Sequence, residues 1–301
     1  MINWIAALQQ LSSLQRMKEG GITTVRVGSE RCSWRVAARF DDEEIEQLRQ
    51  RCGELGMRWE LVVNRPIEEE DLPWLDKLMS QLCLWRPDGI VFHDPAVLLS
   101  ARQAGLDSEL IFVSDTLMTN AWDVRRMREA GCDRVALSTE ITLQEIMDIA
   151  AQNDAGHLEL QVHGAQVCAV SRRPLISSYL QLRGRTLTDL HQRRDLRIVE
   201  QTRQEAMPIL EEEEGTAVYA PWILNSLPQI ASIVQAGFGH LFLEGIFGSD
   251  QEVLLARAAM AEVLAGAEAQ TVLCRLREKT GLPYGNGYYD RKTSLTKEEG
   301  R

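Results

Sequence analysis

Imidazole and carboxylate side chains follow short apolar runs along the chain, and they are the first candidates for chemistry. His163, Glu140 and Glu244 are the predicted catalytic residues, because an imidazole titrates near neutrality and a carboxylate can fix its tautomer. A structural interpretation stays open, in which Gly164 permits close backbone approach and the carboxylates cap loop amides. The predicted substrate-binding residues follow other apolar runs and are Asn64, His93, Ser114 and Asp115.

No sequence pattern of a known peptidase or metal centre accompanies these residues. The chain has no Gly-x-Ser-x-Gly, His-Glu-x-x-His or Cys/His nucleophile arrangement. Two acidic runs, Glu68–Asp71 and Glu211–Glu214, are predicted to be solvated helix starts or loops, because consecutive acids on one turn point apart. We therefore predict no metal site.

Arginines are concentrated in one stretch of an otherwise acidic chain. The formal net charge of −11 disfavours non-specific wrapping of nucleic acid, and DNA is not an expected partner. A local patch of guanidinium groups can still position RNA, because their donors match phosphate oxygens in pairs. The alternative is a surface that faces a partner protein or pairs with acidic runs such as Glu211–Glu214. The residues predicted to bind RNA or a partner are Arg172, Arg173, Arg183, Arg185, Arg193 and Arg194.

Short apolar runs alternate with helix-period segments, which is typical of buried parallel strands separated by amphipathic helices. Helix starts are predicted at Asp41, Asp94, Asn120 and Thr142, and glycines such as Gly56 mark helix ends. One continuous alternation favours a closed (β/α)₈ TIM-like barrel over an open doubly wound sheet, with all strand carboxyl ends at one mouth. The predicted strands are Trp4–Ala7, Thr24–Gly28, Trp59–Asn64, Gly89–His93, Leu110–Ser114, Arg134–Ser138, Leu158–His163 and His240–Leu243.

The alternation is interrupted between the seventh and eighth predicted strands. This excursion, at about residues 168–228, holds the arginines, an acidic run and a strand-like piece at Thr216–Ala220. We predict that residues 1–270 form the barrel domain together with the excursion. Residues 271–301 are predicted to form an aromatic and glycine-rich segment followed by a charged tail.

Cysteine usage and hydropathy indicate the compartment. The six cysteines are far apart, with no Cys-x-x-Cys pair, and they are predicted to be reduced thiols rather than disulfides or zinc ligands. No apolar run approaches the roughly 18 residues of a membrane span. The first residues carry no basic region of a secretory signal. The sequence therefore predicts a soluble cytoplasmic protein.

Several stretches of the chain resemble peptidase family U32. Residues 158–165 (Leu-Glu-Leu-Gln-Val-His-Gly-Ala) and 175–180 (Leu-Ile-Ser-Ser-Tyr-Leu) are similar to the signature region of that family. Further stretches match those of the family in order and spacing, so the resemblance covers nearly the whole chain. The family also includes cluster-dependent proteins of RNA and ubiquinone hydroxylation. The further stretches are residues 14–28, 136–146, 241–245 and 283–289.

The resemblance also identifies positions at which this chain departs from the family. Members with a [4Fe–4S] cluster bind it through four cysteines, and none of the matching positions here is a cysteine. The single thiolate of Cys168 cannot replace four ligands. Two arginines of the family are replaced by Thr139 and Ile246. A cluster is therefore not expected in this chain. The four matching positions are Val167, Pro174, Leu190 and Arg194.

Taken together, the resemblance implies a cluster-free subunit that supports tRNA modification beside a cluster-bearing paralogue. The implied reaction is the prephenate-linked 5-hydroxylation of the wobble uridine, so tRNA and prephenate are the expected RNA and small molecule. Two other hypotheses stay open. One is a collagenase-like peptidase of the same family, and the other is a non-catalytic interaction scaffold.

Overall fold

Strands and helices alternate along the chain in the computed structural model, which describes residues 2–199 and 205–290. All eight predicted strands are present in the predicted order, and the seventh continues well beyond its predicted end, to Ser171. In chain order the strands are β1 (Asn3–Ala7), β2 (Thr24–Ser29), β3 (Arg39–Phe40), β4 (Arg58–Val63), β5 (Gly89–Phe92), β6 (Glu109–Phe112), β7 (Arg134–Ala136), β8 (Leu158–Ser171), β9 (Arg197–Val199), β10 (Ala206–Glu212), β11 (Gly215–Asn225), β12 (His240–Leu243) and β13 (Tyr284–Gly285).

Eight of these strands form a closed parallel ring. The order around it is β1, β2, β4, β5, β6, β7, β8 and β12, and β12 pairs with both β8 and β1. Each neighbouring pair in the ring is parallel, as βαβ crossovers require. The predicted (β/α)₈ TIM-like barrel is therefore confirmed.

Helices cover the outside of the ring, and their starts carry the predicted caps. The side chains of Asp41, Asp94, Asn120 and Thr142 each accept a hydrogen bond from a backbone N–H of the first turn. Gly56 adopts a left-handed conformation just after its helix, as predicted. The helices are α1 (Leu14–Glu19), α2 (Asp42–Leu55), α3 (Leu72–Trp85), α4 (Pro95–Gln103), α5 (Ala121–Ala130), α6 (Leu143–Ala151), α7 (Leu175–Leu182), α8 (Ile230–Gln235), α9 (Asp250–Leu264) and α10 (Ala269–Thr280).

The large core lies between the ring and the helices, because alternate strand residues point outward. On β8, Leu158, Leu160 and Val162 belong to this core, whereas Glu159 and Gln161 line the barrel interior. The alternation ends at a bulge. Phe242 of β12 is level with Gln161, but the next residue of β12 is level with His163, so β8 carries one extra residue here.

The excursion continues the barrel as an antiparallel sheet. Beyond its bulge β8 pairs with β11, β11 pairs with β10, and β10 pairs with β9. The predicted strand-like piece Thr216–Ala220 lies within β11. The prediction of a solvated Glu211–Glu214 run was wrong for its first half, since Glu211 and Glu212 are buried on β10.

Both buried carboxylates of this run have partners. Glu211 accepts hydrogen bonds from the backbone N–H groups of Ile176 and Ser177, the latter at 3.2 Å, and so caps the start of α7. Glu212 accepts a hydrogen bond from the backbone N–H of Arg35 at 2.8 Å and lies 3.5 Å from Arg194. Glu212 therefore connects the excursion to the loop that follows β2.

The C-terminal aromatic segment packs against the excursion sheet. Tyr284 lies on β13, which pairs with β11, and the Tyr289 hydroxyl lies 2.7 Å from the Ser226 hydroxyl. Helix α10 runs across the predicted boundary at residue 270, and the predicted charged tail from residue 291 lies outside the described residues. Within residues 2–199 and 205–290, no helix is both long and apolar enough to cross a membrane.

Candidate functional site

The carboxyl ends of the barrel strands surround a cavity of about 550 Å³, which we call the central cavity. Its apolar wall comes from inward-facing strand residues, among them Val62, Val91 and Val113. The excursion closes one side, since Val167 of β8 and Tyr219 of β11 also line it. The geometry is that of the ligand-binding mouth of a (β/α)₈ barrel.

The barrel brings most of the predicted mouth residues to this cavity, although they lie far apart in the chain. They come from different strands, because each follows the carboxyl end of its own strand. Those that line the cavity are Asn64, His93, Ser114, Asp115 and Glu244. Glu140 is half-buried one residue beyond Thr139, which lines the cavity, and burial and the nearby Asp115 raise the pKa of its carboxyl group.

The amide of Asn64 is occupied by the protein itself. Its Oδ1 accepts a hydrogen bond from the backbone N–H of Trp34 at 2.8 Å, and its Nδ2 donates one to the Trp34 carbonyl at 2.8 Å. Asn64 therefore holds the loop after β2 against the mouth. His93 is half-buried, and burial together with the positive charge of Arg35 lowers the pKa of its imidazole.

Glu244 is the most enclosed carboxylate of the predicted catalytic set. Its Oε1 accepts hydrogen bonds from the backbone N–H groups of Gly245 at 2.7 Å and Ile246 at 2.9 Å. Burial raises the pKa of this carboxyl group despite those hydrogen bonds. Gly164, at a φ of +109°, packs directly on Glu244, and a Cβ atom there would stand 2.4 Å from the Glu244 carbonyl oxygen. The carboxylate is thus held firmly at the cavity wall.

His163 does not line the central cavity. Its ring is buried, and the ring centroid lies 5.8 Å from that of Tyr284 in the C-terminal segment. Its Nδ1 has no hydrogen-bond partner among the described residues, and burial lowers the pKa of the imidazole to about 4. The bulge in β8 accounts for this position, because one extra residue turns the next side chain to the opposite face.

The predicted RNA- or partner-binding arginines fall into two groups. Arg172 lines the central cavity and forms an ion pair with Glu68, while Arg193 and Arg194 pair with Asp195 and Glu212 respectively. Within the described part of the chain, the others form no ion pair and are exposed to solvent. These exposed residues are Arg173, Arg183 and Arg185.

Sequence reasoning missed Arg35, which reaches the centre of the mouth from the loop after β2. Its backbone is left-handed, with a φ of +53°, and its N–H is held by Glu212. Its guanidinium donates to the Asp115 carboxylate at 2.9 Å and lies over the Trp34 ring at 4.4 Å. Asn64 is the last residue of its predicted strand, whereas Arg35 lies within the loop that follows the strand Thr24–Gly28, and a contact of that loop with Glu212 of the excursion holds it at the mouth.

Two further cavity residues were also missed. The Trp34 and Tyr219 side chains are buried at the mouth, with exposed fractions of 2% each. Burial raises the pKa of the Tyr219 hydroxyl well above its ordinary value, so it is a proton-bearing donor at neutral pH. Tyr219 lies on β11, inside the excursion, and no local sequence rule assigns such a residue to a barrel mouth.

An ion cluster, formed by Arg26, Glu60, Glu109, Arg134 and Glu159, fills the barrel below the cavity. Arg26 contacts Glu60 at 2.8 Å and Glu159 at 2.7 Å, and Arg134 contacts Glu109 and Glu159 at 3.0 Å each. Four of the five side chains are almost fully buried. Charged groups removed from water need such pairing. The upper residues, Arg26 and Glu159, form the floor of the cavity.

The described residues do not fit an iron–sulfur cluster. No group of three or more histidine, cysteine or acidic side chains within residues 2–199 and 205–290 could hold a metal ion. Cys168 lies at the cavity wall as a single thiol, and the matching position Arg194 is an ion-pair partner of Glu212. Thiolate coordination of the irons therefore has no donor set here.

Comparison with known proteins gives consistent matches. A model of peptidase family U32 matches residues 9–298. The tRNA hydroxylation protein P2 of Bacillus subtilis is 25% identical over 230 residues, which are 76% of this chain and 74% of that protein. The tRNA hydroxylation protein P of Haemophilus influenzae is 27% identical over 58% of this chain, a match that spans only 39% of that protein. The solved structure of the U32 peptidase Mk0906 has a TM-score of 0.53 over 81% of this chain and 92% of that chain, at 13% identity, and so shares the fold.

Proposed function

Because the chain belongs to peptidase family U32, we propose that it takes part in the hydroxylation of transfer RNA. The observation that carries this proposal is the match to tRNA hydroxylation protein P2, which spans about three quarters of both chains. An RNA substrate is also supported by Arg172, which lines the central cavity, and by the exposed Arg173 that follows it in the chain. Arginine forks are suited to phosphate oxygens.

The finer proposal is that this chain is a cluster-free subunit that works beside a cluster-bearing paralogue in the cytoplasm. It is supported by the mismatch between the described residues and a cluster. The proposed reaction is the 5-hydroxylation of the wobble uridine, with prephenate as the small molecule that it requires. The oxidative step is assigned to the partner, and this chain contributes RNA binding, RNA positioning and acid–base chemistry.

Within this chain, we assign the acid–base role to Glu244. Burial raises the pKa of its carboxyl group, and the residue lines the central cavity. Glu140 shapes the rim, and His93, Ser114 and Asp115 form the polar wall. His163 is less suited than Glu244 to an acid–base role, because its ring lies outside the cavity. We assign it a structural role at the bulge.

The proposal is tested by deleting the gene in the organism that encodes it and measuring tRNA nucleosides by mass spectrometry. The expected result is loss of 5-hydroxyuridine, restored by the wild-type gene. Unchanged modification would contradict the proposal, and hydrolysis of unfolded collagen by the purified protein would favour the peptidase hypothesis. Partner binding without loss of either activity would favour the scaffold.

Complementation with arginine variants tests the excursion. The triple alanine variant of Arg173, Arg183 and Arg185 is expected to restore little modification, because each substitution removes a contact with a phosphate or a partner. A matched triple variant in exposed arginines that pair with acidic residues of the outer helices should restore the modification fully. The control residues are Arg49, Arg126 and Arg275.

A further inference from the structure

We propose that the outer side of helix α7 is a docking surface for a protein partner that offers an apolar groove with carboxylates at its rim. This inference rests on the proposed function and deepens it, because it names the face at which the partner of this chain binds. The surface, which we call the α7 stripe, consists of Leu175, Tyr179 and Leu182. These residues lie on the excursion and not in the wall of the central cavity.

Three large apolar side chains follow one side of α7 and face solvent. Leu175, Tyr179 and Leu182 are spaced at i, i+4 and i+7, so they lie within about 60° of one another around the helix axis. Their exposed fractions are 43%, 56% and 87%, and Leu182 is the most exposed large apolar residue in the described part of the chain. Single exposed leucines are common on protein surfaces, but an aligned set on one helix indicates a binding surface.

The helix is fixed to the excursion sheet, so the stripe is presented in one orientation. The carboxylate of Glu211 caps the first turn, and the backbone N–H of Leu175 donates to the Thr216 hydroxyl at 3.0 Å. Helix α7 also contacts β11, and its residues Ile176 and Leu180 are half-buried. The stripe is therefore a second apolar side of the helix, and a surface that is already ordered loses little freedom on binding.

The rest of the sequence lacks the apolar side chains that would cover the stripe. The residues outside the described part are Met1, 200–204 and 291–301, and Met1 and Leu295 are the only apolar residues among them. Two isolated side chains cannot bury three large ones that lie side by side. We therefore assign the cover to another molecule.

Charges beside the stripe select the chemistry of that molecule. Arg183 and Arg185 follow the end of α7, are exposed, and form no ion pair within the described part of the chain. Unpaired guanidinium groups at the rim of an apolar surface favour a partner with carboxylates at the matching positions. A second copy fits this pattern less well, because a two-fold contact through α7 would bring the arginines of both copies together.

The aliphatic character of the stripe favours a protein over RNA. Bases stack on aromatic rings and guanidinium planes, and phosphates require hydrogen-bond donors. Leu175 and Leu182 offer neither, and the ring of Tyr179 already lies 5.6 Å from the guanidinium carbon of Arg183. A helix with apolar anchors at i, i+4 and i+7 is the form in which helices bind in a protein groove.

The experiment uses the cluster-bearing paralogue from the same organism as the probe. Binding of the purified full-length chain to this paralogue is measured by biolayer interferometry. Leu182→Ser is expected to weaken binding at least about tenfold, as truncation of an apolar anchor in an interface does. The double variant Arg183→Glu and Arg185→Glu should weaken binding by a similar factor, because carboxylates would then face carboxylates.

Leu84→Ser is the matched control, since Leu84 is a leucine of helix α3 that is 71% exposed. It should leave the affinity unchanged. Equal affinity of wild type and Leu182→Ser, or no binding by wild type, would overturn the inference. So would a homodimer of the wild-type chain that Leu182→Ser dissociates, or a loss of tRNA affinity in Leu182→Ser as large as the loss for the paralogue. Loss of 5-hydroxyuridine on gene deletion, with unchanged paralogue binding by Leu182→Ser, would refute the docking surface and leave the proposed function standing.

Discussion

The buried imidazole of His163, whose Nδ1 has no hydrogen-bond partner among the described residues, makes the stability of this protein depend on pH. His163 has a pKa of about 4 in the folded chain because burial disfavours its charged form, whereas an unfolded histidine titrates near its ordinary value of about 6.5. Between these values the unfolded chain binds the proton more readily. Stability therefore falls as the pH drops from about 6.5 towards about 4.

Replacing His163 with Phe should remove this dependence. Phe keeps an aromatic ring beside Tyr284 and removes the ring nitrogen Nδ1, which has no hydrogen-bond partner in the part of the chain that the structure describes. We expect wild type to lose about 1–2 kcal/mol relative to the variant between about pH 7 and about pH 5. Urea unfolding at each pH measures the difference. His191→Gln, at an exposed position, should give a curve parallel to wild type, and parallel curves for His163→Phe would contradict the assignment.

At the scale of the element, the bulge in β8 decides which side chains reach the cavity. Gly164 follows the bulge with a positive φ and packs on the backbone of Glu244. This contact connects the excursion strand to the carboxylate at the end of β12. A side chain at residue 164 would have to displace Glu244 or the strand itself, because backbone atoms cannot yield as flexible side chains do.

Gly164→Ala should therefore destabilise the protein strongly. Left-handed strain costs about 1–2 kcal/mol, and the contact with the Glu244 carbonyl adds an overpacking cost of about 1–3 kcal/mol. Gly56→Ala is the matched control, since it has a positive φ but open space around its Cβ position, and it should show the strain alone. Thermal unfolding of both variants measures the difference. Equal losses would mean that the Glu244 contact does not matter.

At the scale of the whole molecule, the ion cluster joins strands that are distant in sequence. Arg26, Glu60, Glu109, Arg134 and Glu159 come from five of the eight barrel strands. Gly89, which adds no side chain, leaves room for Glu60, since a Cβ there would lie 3.1 Å from its Cγ. Charge pairs therefore fill the lower barrel of this protein, whereas layers of apolar side chains fill this region in most (β/α)₈ barrels.

Arg134→Ala should cost about 3–5 kcal/mol, because it leaves the buried Glu60 and Glu159 short of a partner. Arg126→Ala, in an exposed pair with Glu129, should cost less than about 1 kcal/mol. Chemical denaturation monitored by tryptophan fluorescence compares the two. Similar stability of both variants would show that the cluster contributes nothing to barrel stability.

The sequence by itself determined the architecture. Apolar runs located all eight barrel strands, and capping residues such as Asp41 and Thr142 located helix starts, because periodicity and capping are local properties. The rule that strand ends meet at one mouth also brought Asn64, Asp115 and Glu244 together correctly.

Only the tertiary structure decided which side chains face the cavity. His163 has the parity of Glu159 and Gln161 along β8, and a single extra residue in the pairing with β12 turns it away. Contacts between the excursion and the loop after β2 bring Arg35 and Tyr219 to the cavity. The same contacts bury Glu212. Such contacts join residues more than a hundred positions apart, and a local pattern cannot encode them.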